Sequence, residues 1–309
     1  KLQLNGKFAY DYTHYLSRDT VQFLQENVTK KMQFDNTYYQ QDWYLSVVNM
    51  YSILPVWDVS LSVDFQYNKL NAVMRGVGTP FTFPQRYTTW AALATALNLG
   101  KWKLQADVLG TFVIEKVRNN VQAPDKSELS PAFIVGYKPF CNHDFNLRAF
   151  YKRIFRLPTF NDLYYAQIGF SQLNPEFTDQ FNIGGSYQKT FKKGFIDRIS
   201  VQADIYYAAI TDKIIAAPTG SSFRWMMTNM GKVESKGVDV SAAVFGHAGP
   251  VRMNANLSYS FAKAQDFTKI NGKKLSSYGD QIPYTPWHSG SVIAGVEYGT
   301  WTLNYSFIY

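Results

Sequence analysis

Apolar and polar residues alternate with a period of two along most of the chain, and the segment 58–68 shows the pattern most clearly. Its apolar residues are Val59, Leu61, Val63, Phe65 and Tyr67, and the residues around them are Asp58, Ser60, Ser62, Asp64, Gln66 and Asn68. Successive side chains of a β-strand point to opposite faces, so this segment predicts a strand with one apolar and one polar face.

Segments of this kind recur to the end of the chain and predict about 13 strands, most of them longer than the usual ~5–6 residues. Short turns alternate with long polar loops between them. The predicted turns lie at Pro55, Gly100, 139–143, 192–197, 246–250 and Gly299. The predicted long loops are 17–36, 71–86, 118–128, 211–232 and the aromatic stretch that begins at Arg153. In an up-and-down antiparallel sheet, all turns then lie at one end and all long loops at the other.

Two all-β architectures show such alternation, a soluble β-sandwich and a transmembrane β-barrel whose apolar face meets lipid. The long strands, the alternation of turns with long loops and the aromatic residues near strand ends favour the barrel. We therefore predict an all-β, antiparallel, up-and-down transmembrane β-barrel, with about 13 strands in this chain. The residues predicted to face its lumen are Asp64, Gln66, Asp107, Arg148, Asn182, Gln202, Asp204, Arg252, Asn254 and Asn256.

The composition agrees with a membrane barrel and argues against a helical membrane protein and a nucleic-acid-binding protein. Aromatic and charged residues each make up 17% of the chain, whereas soluble domains carry about 25% charged residues. No stretch reaches the ~18–20 apolar residues of a membrane helix. The net charge of +8 is spread along the chain without a dense basic run, so we predict no nucleic-acid partner.

No resident cofactor or metal is predicted. Cys141 is the only cysteine, which excludes a disulfide within the chain and a thiolate cluster. The four histidines are far apart in sequence and do not have the spacing of a haem or metal site.

The stretch 156–184 contains residues in a characteristic order, which are Arg156, Pro158, Asp162, Leu163, Tyr164, Leu173, Asn174, Pro175, Glu176, Asn182 and Gly184. Further residues follow in order: Tyr206, Ile210, Asp212, Ile214, Asn229, Gly237, Val238, Asp239, Pro283, Pro286 and His288. In order and spacing, the set resembles the barrel signature of TonB-dependent outer-membrane receptors. The loop sequences NDLYY and FRWMM are most similar to transporters from Bacteroidetes.

The resemblance implies a barrel of about 22 strands, filled by an N-terminal plug domain that follows an energy-coupling box. Residues 1–309 would be part of this barrel domain, with the plug, the first strands and the last strands outside them. The implied function is active import, in the bacterial outer membrane, of a bulky scarce nutrient, with cobalamin ahead of an iron siderophore or haem. The implied partners are the inner-membrane TonB complex acting through the plug, a surface lipoprotein, lipopolysaccharide and outer-membrane lipid.

The candidate substrate-binding residues lie in two predicted extracellular loops and are Phe223, Arg224, Trp225, Met226, Met227, Tyr164 and Tyr165. Their aromatic and thioether groups suit an apolar or corrin-like ligand, and packing of one loop against another is the alternative. The residues predicted to fix the shape of the loop are Arg156, Pro158, Asp162, Leu163, Tyr164, Leu173, Pro175 and Glu176. Proline restricts the backbone at both ends of this loop, which favours the structural role.

Two other functions remain open at this stage. A passive porin needs no plug, so a plug encoded upstream of Lys1 would exclude it. A barrel enzyme of the phospholipase type needs a serine and a histidine within hydrogen-bond reach. His14 and His288 fall on the apolar face without an evident nucleophile, and we predict that the protein is not an enzyme.

Overall fold

A computed structural model describes residues 1–23, 28–75, 81–119, 122–165, 168–218, 225–270 and 272–309. The strands are β1 (Leu2–Phe23), β2 (Val28–Leu54), β3 (Trp57–Arg75), β4 (Gln85–Leu99), β5 (Trp102–Lys116), β6 (Lys126–Tyr137), β7 (Asp144–Arg156), β8 (Glu176–Thr190), β9 (Ile196–Pro218), β10 (Trp225–Ala248), β11 (Val251–Asp266), β12 (Lys269–Ile270), β13 (Lys273–Lys274), β14 (His288–Tyr298) and β15 (Trp301–Ile308). A short helix, α1 (Phe160–Tyr164), lies between β7 and β8.

Strands β1 to β11, followed by β14 and β15, form one 13-stranded sheet in which each strand pairs with its neighbours in sequence. Strands β12 and β13 form a separate hairpin in the loop before β14. The pairing is antiparallel throughout, as between β8 and β9. The prediction of an all-β, up-and-down antiparallel sheet is confirmed. Among the described residues, no helix is long and apolar enough to cross a membrane.

The two faces of the sheet differ as the alternation predicts. Ile183 and Ile205, which are opposite each other on β8 and β9, are 69% and 63% exposed. Asn182 and Asp204, one position away along the same strands, are 8% and 6% exposed. Side chains of this size remain exposed in rows on a barrel where lipid takes the place of water. The apolar face is therefore the outer wall, and the polar face lines the lumen.

Three of the predicted long loops are wrong in extent, because strands continue through much of them. Residues 17–23 and 28–36 belong to paired parts of β1 and β2, and residues 71–75 belong to β3. Residues 211–218 pair with residues within 225–232 across β9 and β10. Where a strand rises above the membrane, both faces meet water, so the apolar alternation ends although the backbone hydrogen bonds continue. The sequence pattern marks the membrane-spanning part of each strand.

The main buried cluster lies at the end of the sheet that carries the long loops. It combines residues of β2, β3 and β9 with residues of the loops before β4 and β8. Its members are Tyr38, Leu70, Ala72, Phe81, Phe160, Leu163, Tyr164, Leu173 and Ile214. Because β2 and β9 are far apart in the strand order, their meeting through one cluster requires the sheet to curve around its inner face.

Candidate functional site

The loop 157–175 between β7 and β8 places the motif residues at this end of the barrel. It enters α1 through a capping box, in which the Asp162 N–H donates to Thr159 Oγ1 at 3.1 Å and the Thr159 N–H donates to Asp162 Oδ2 at 2.9 Å. The two bonds satisfy backbone donors that the start of a helix leaves unpaired. Pro158, directly before the box, restricts the backbone where the loop leaves β7.

Arg156 and Glu176 join the two ends of this loop. Arg156 Nη1 lies 3.2 Å from Glu176 Oε2, and Arg156 Nη2 lies 3.8 Å from Asp162 Oδ2. The same Glu176 oxygen accepts the N–H of Ile214 on β9 at 3.0 Å. Hydrogen bonds with a charged partner are roughly twice as strong as neutral ones. A single carboxylate thus ties the loop to the neighbouring strand.

Asn229 on β10 makes a second connection to the loop. Its side-chain oxygen accepts the Asn174 N–H at 2.9 Å, and its amide nitrogen donates to the carbonyls of Asn174 at 3.0 Å and Asp212 at 2.7 Å. Asp212 has a φ of 53°, in the left-handed region that such a residue adopts only where its surroundings hold it. Asn229 therefore fixes both the loop and the irregular outer part of β9.

A buried ion pair lies beneath α1. The Arg86 and Glu115 side chains, on β4 and β5, are bonded to each other and are 10% and 3% exposed. Arg86 also donates to the Pro158 carbonyl at 2.9 Å, and its guanidinium lies 5.0 Å from the centre of the Phe160 ring. The buried Arg86 guanidinium thus supports the loop from below. Burial of a charge is costly, and the contacts with Glu115, Pro158 and Phe160 compensate for the lost hydration.

The far side of the loop reaches across the lumen. The Tyr165 ring stacks on Tyr38 of β2, with ring centres 4.8 Å apart, and lies 6.2 Å from Tyr15 of β1. On the opposite side, the Met227 N–H on β10 donates to the Ile168 carbonyl at 2.8 Å. The loop therefore connects β1 and β2 with β10 across the mouth of the barrel.

A cavity of about 550 Å³ lies between this loop and the inner face of β1 to β3. It is lined by Asp11, Tyr12, Thr13, Tyr38, Gln40, Leu70, Asn161, Asp162, Tyr165, Ile168 and Met227. Strands and loop both contribute polar and apolar groups to the lining, and the thioether of Met227 comes from β10. Asp11 and Asp162 make the lining acidic, and within the described part of the chain it includes no lysine or arginine.

The structure brings some of the predicted substrate-binding residues together. Tyr165 and Met227 line the cavity, and Tyr164 is buried beside it in the cluster. Trp225 lies against Tyr284 instead, with ring centres 5.9 Å apart. Met226 is 38% exposed. Phe223 and Arg224 lie outside the described residues.

Sequence reasoning missed Arg86, Glu115 and Asp11 as residues of this region. Arg86 and Glu115 are far apart in sequence, and only the register of β4 and β5 places them opposite each other. For Asp11, the alternation along β1 predicts which face of the sheet the residue lies on, but it does not predict which residues of other elements lie beside it. Two charged residues on inward-facing positions of adjacent strands were the one available signal for the ion pair.

Lower on the inner wall, Arg148 on β7 binds Asp204 on β9 through two oxygens, both at 2.8 Å from Nη2. Gln202 donates to the same carboxylate at 2.8 Å. Gly184 lies between the two charged residues on β8, and a Cβ at this position would be 2.0 Å from Asp204 Oδ1. The glycine of the 156–184 motif therefore makes room for the ion pair.

No metal-binding cluster is present in the part of the chain that the structure describes, since no three His, Cys, Asp or Glu residues lie close enough together. His14 Nε2 lies 2.7 Å from Asp35 Oδ1. His288 Nδ1 lies 2.8 Å from the Tyr259 hydroxyl. Both histidines of the rival enzyme hypothesis thus contact a residue other than serine.

These observations define a class of protein: the wall of a transmembrane β-barrel whose mouth is crossed by one of its own loops. A family model for the TonB-dependent receptor-like β-barrel matches residues 1–309, and the chain belongs to this family. Barrels of this family are outer-membrane proteins that act as receptors and transporters rather than enzymes. The long loops accordingly lie outside the cell and the short turns in the periplasm.

Known relatives share the fold at low sequence identity. The vitamin B12 transporter BtuB of Vibrio vulnificus (strain YJ016) is 28% identical over 88 residues, which are 28% of this chain and 13% of that protein. The copper transporter OprC superimposes with a TM-score of 0.71 and 15% identity, over 99% of this chain and 48% of that one. The haemophore receptor HasR of Serratia marcescens, solved with its haemophore HasA and haem, gives a TM-score of 0.64 at 13% identity, over 99% of this chain and 60% of that one. The chain spans about half the length of these solved structures.

Proposed function

We propose that the protein is a TonB-dependent importer of a bulky, scarce nutrient, in which this chain forms part of the barrel wall and the extracellular loops. The cavity beneath the loop 157–175 is the observation that supports this function most. Its volume of about 550 Å³ lies within the ~300–1,000 Å³ of typical ligand pockets. A plug domain outside this chain would complete the site from below and pass on the force of the inner-membrane TonB complex.

Cobalamin suits the lining of this cavity better than haem or an anionic iron siderophore. Asp11 repels carboxylates and catecholates but accepts hydrogen bonds from the amide side chains of a corrin, and Asp162, whose Oδ2 is already held by Thr159 and Arg156, can accept a further one through Oδ1. The Tyr165 ring and the Met227 thioether suit the apolar faces of a large ring system. The similarity over 88 residues to a vitamin B12 transporter supports the same choice. The loop sequence NDLYY supports an origin in Bacteroidetes, where we expect a surface lipoprotein as an additional partner.

Binding titrations of the full-length, plug-containing protein with cyanocobalamin, haem and a ferric siderophore test the choice of cargo. We expect cyanocobalamin to bind most tightly, and Tyr165→Ala to weaken its binding by roughly tenfold, as for a buried aromatic contact. Tyr187→Ala, on the outer wall near the periplasmic end, is the matched control and should leave affinity unchanged. A full-length protein without measurable cobalamin affinity would overturn this cargo.

Uptake by intact cells tests active import separately. Accumulation of the cargo should stop when TonB is deleted or the proton-motive force is dissipated. Uptake that continues under both conditions would favour a passive porin.

A further inference from the structure

The cavity beneath the crossing loop ends beside a covered position of the inner wall. Its lining includes Thr13 of β1 and Tyr38 of β2, which are opposite each other in the register. The next residues outward on the same face are Tyr15 and Asn36, and these two are also opposite each other. Asn36 therefore lies next to the cavity but outside its lining.

Three tyrosines surround Asn36 and separate it from the cavity. The centre of the Tyr165 ring lies 4.8 Å from that of Tyr38 and 6.2 Å from that of Tyr15. These two tyrosines are the neighbours of Asn36 along its own strand and across to β1. The Tyr165 ring contacts both neighbours and so closes the inner side of Asn36, which is 0% exposed.

The Asn36 amide is buried without hydrogen bonds. Neither its Nδ2 nor its Oδ1 has a partner, and no other side chain among the described residues has two such atoms. A buried amide normally pairs, because it has lost its hydrogen bonds to water. An apolar residue of the same size would avoid this cost, so the fold without a ligand does not account for an asparagine at this position.

The Tyr165 ring can move while the backbone of its loop stays fixed. The Gly169 N–H donates to the Tyr165 carbonyl at 2.8 Å, and the Met227 N–H on β10 donates to the Ile168 carbonyl at 2.8 Å. The ring itself is stacked on Tyr38. Rotation about one side-chain bond moves such a ring from one staggered position to another. The cavity would then extend as far as the amide.

We propose that Asn36 determines specificity by binding a carboxamide of the cargo once the Tyr165 ring has turned aside, an inference that rests on the proposed import function. Asn36 Nδ2 donates to the carbonyl oxygen of the ligand, and Oδ1 accepts an N–H from its nitrogen. A carboxylate or a catecholate offers acceptors alone and would leave Oδ1 unpaired in a site without water. The displaced ring stays at the edge of the cavity and packs against an apolar face of the ligand.

The test uses the full-length, plug-containing protein in detergent with two corrinoid probes, cyanocobalamin and dicyanocobyrinic acid heptamethyl ester. Methyl esters replace the carboxamides in the second probe, which keeps the corrin ring and the carbonyl acceptors but has no amide N–H. We expect Asn36→Leu to weaken binding of cyanocobalamin roughly tenfold to a hundredfold, as for two lost hydrogen bonds. The same variant should bind the ester probe at least as well as wild type does.

Asn182→Leu is the matched control for these titrations. Asn182 is 8% exposed and lies deeper in the barrel, on the inner face of β8. Its replacement should leave the affinity for both probes unchanged.

The stability of the unliganded protein separates this role from a structural one. Asn36→Leu removes two unpaired polar atoms, so its unfolding midpoint should equal or exceed that of wild type. A lower midpoint would mean that the amide is hydrogen-bonded in the free protein, and this result would overturn the proposal. If Asn36→Leu does not fold, Asn36→Ala provides the same comparison of the two probes.

Failure of this subsite can be distinguished from failure of the cargo. Equal affinity of wild type and Asn36→Leu for cyanocobalamin would overturn the role of Asn36 and leave the cargo in place. Equal weakening of both probes would do the same, because the amide would then not be the group that is recognised. A wild-type protein that binds no cyanocobalamin would overturn the cargo and this subsite together.

Discussion

Gly184 and Gly237 occupy positions on the barrel wall where a side chain has no room. At Gly237 a Cβ would be 2.1 Å from the Phe261 carbonyl oxygen and 2.6 Å from the Tyr206 hydroxyl. Tyr206 is opposite this glycine on β9 and covers it, an arrangement that compensates for the poor strand propensity of glycine. Spacings that read as family motifs in the sequence are therefore explained by packing between adjacent strands.

Substitution of Gly184 should destabilise the barrel through Asp204. The Cβ of Gly184→Ala would displace the carboxylate from Arg148, and we expect a loss of about 1–3 kcal/mol in the free energy of unfolding, as for an overpacked site. Gly6→Ala is the control, because its nearest contact would be 3.9 Å away. The denaturant midpoint of the full-length protein in detergent measures both. A Gly184→Ala midpoint equal to that of Gly6→Ala would contradict this account.

Tyr164 should make stability fall at high pH. Burial, with a further contribution from Glu115, raises the pKa of Tyr164 from 10.0 to about 12. The folded protein thus holds the phenol proton more tightly than the unfolded chain, so the contribution to stability is complete below the unfolded pKa and is lost as the pH rises through the folded pKa.

The measurement for Tyr164 compares unfolding midpoints of wild type and Tyr164→Phe from neutral pH to about pH 12. At neutral pH the variant should be equally stable or more stable, because the buried hydroxyl has no hydrogen-bond partner among the described residues. Wild type should then lose stability relative to the variant as the pH rises above 10, the ordinary pKa. Parallel pH profiles would refute the assignment.

Among the structural elements, the strands were largely predictable and their outer ends were not. Alternation identifies β3 because lipid faces one side of this strand and the lumen faces the other. Strand β9 ends only at Pro218 and β10 begins already at Trp225. In these outer parts water is present on both sides, so apolar and polar residues no longer alternate. Helix α1 has only five residues, too few for an amphipathic period. The residues Thr159 and Asp162 that cap it were the available signal.

The ion pair beneath α1 should behave as a unit. Arg86→Met leaves the Glu115 carboxylate buried without its partner, and we expect a cost of roughly 3–5 kcal/mol in the free energy of unfolding. Arg86→Met/Glu115→Met removes both charges and should cost less than the single change. Arg75→Met serves as the control, because Arg75 is 76% exposed and lies 3.8 Å from Asp35, so little change is expected.

Unfolding midpoints in detergent measure the stability of the single, double and control variants. If the double variant is no more stable than Arg86→Met, the buried charge is not the source of the cost, and the lost bond to the Pro158 carbonyl becomes the better explanation.

For the whole molecule, sequence reasoning placed the residues on faces but not beside one another. Tyr165 and Met227 were both predicted near cargo, yet they meet in one cavity only because the sheet curves and the loop crosses it. Contact between β2 and a loop that follows β7 depends on the radius of the barrel, which no local pattern encodes. The barrel architecture could therefore be predicted from the family resemblance, whereas the cavity could be found only in the folded structure.

The orientation of the barrel can be tested with its native thiol. Cys141 is exposed in the short turn between β6 and β7, which faces the periplasm in this assignment. A maleimide too large to cross the outer membrane should label Cys141 only after the membrane is permeabilised. In Cys141→Ser/Lys273→Cys the thiol lies in an outer loop instead, and intact cells should be labelled. The reverse pattern would invert the assignment of the two ends.

The loop 157–175 acts as a chord across an arc. It is fixed where it leaves β7 and β8, it reaches Tyr38 on one side, and it is bonded to the backbone of Met227 on the other. An arc whose points are joined by a chord cannot open or flatten without stretching that chord. If a plug within the lumen is pulled, the part of the wall between β2 and β10 should therefore keep its curvature, so the width of the opening beneath this loop is set when the chain folds.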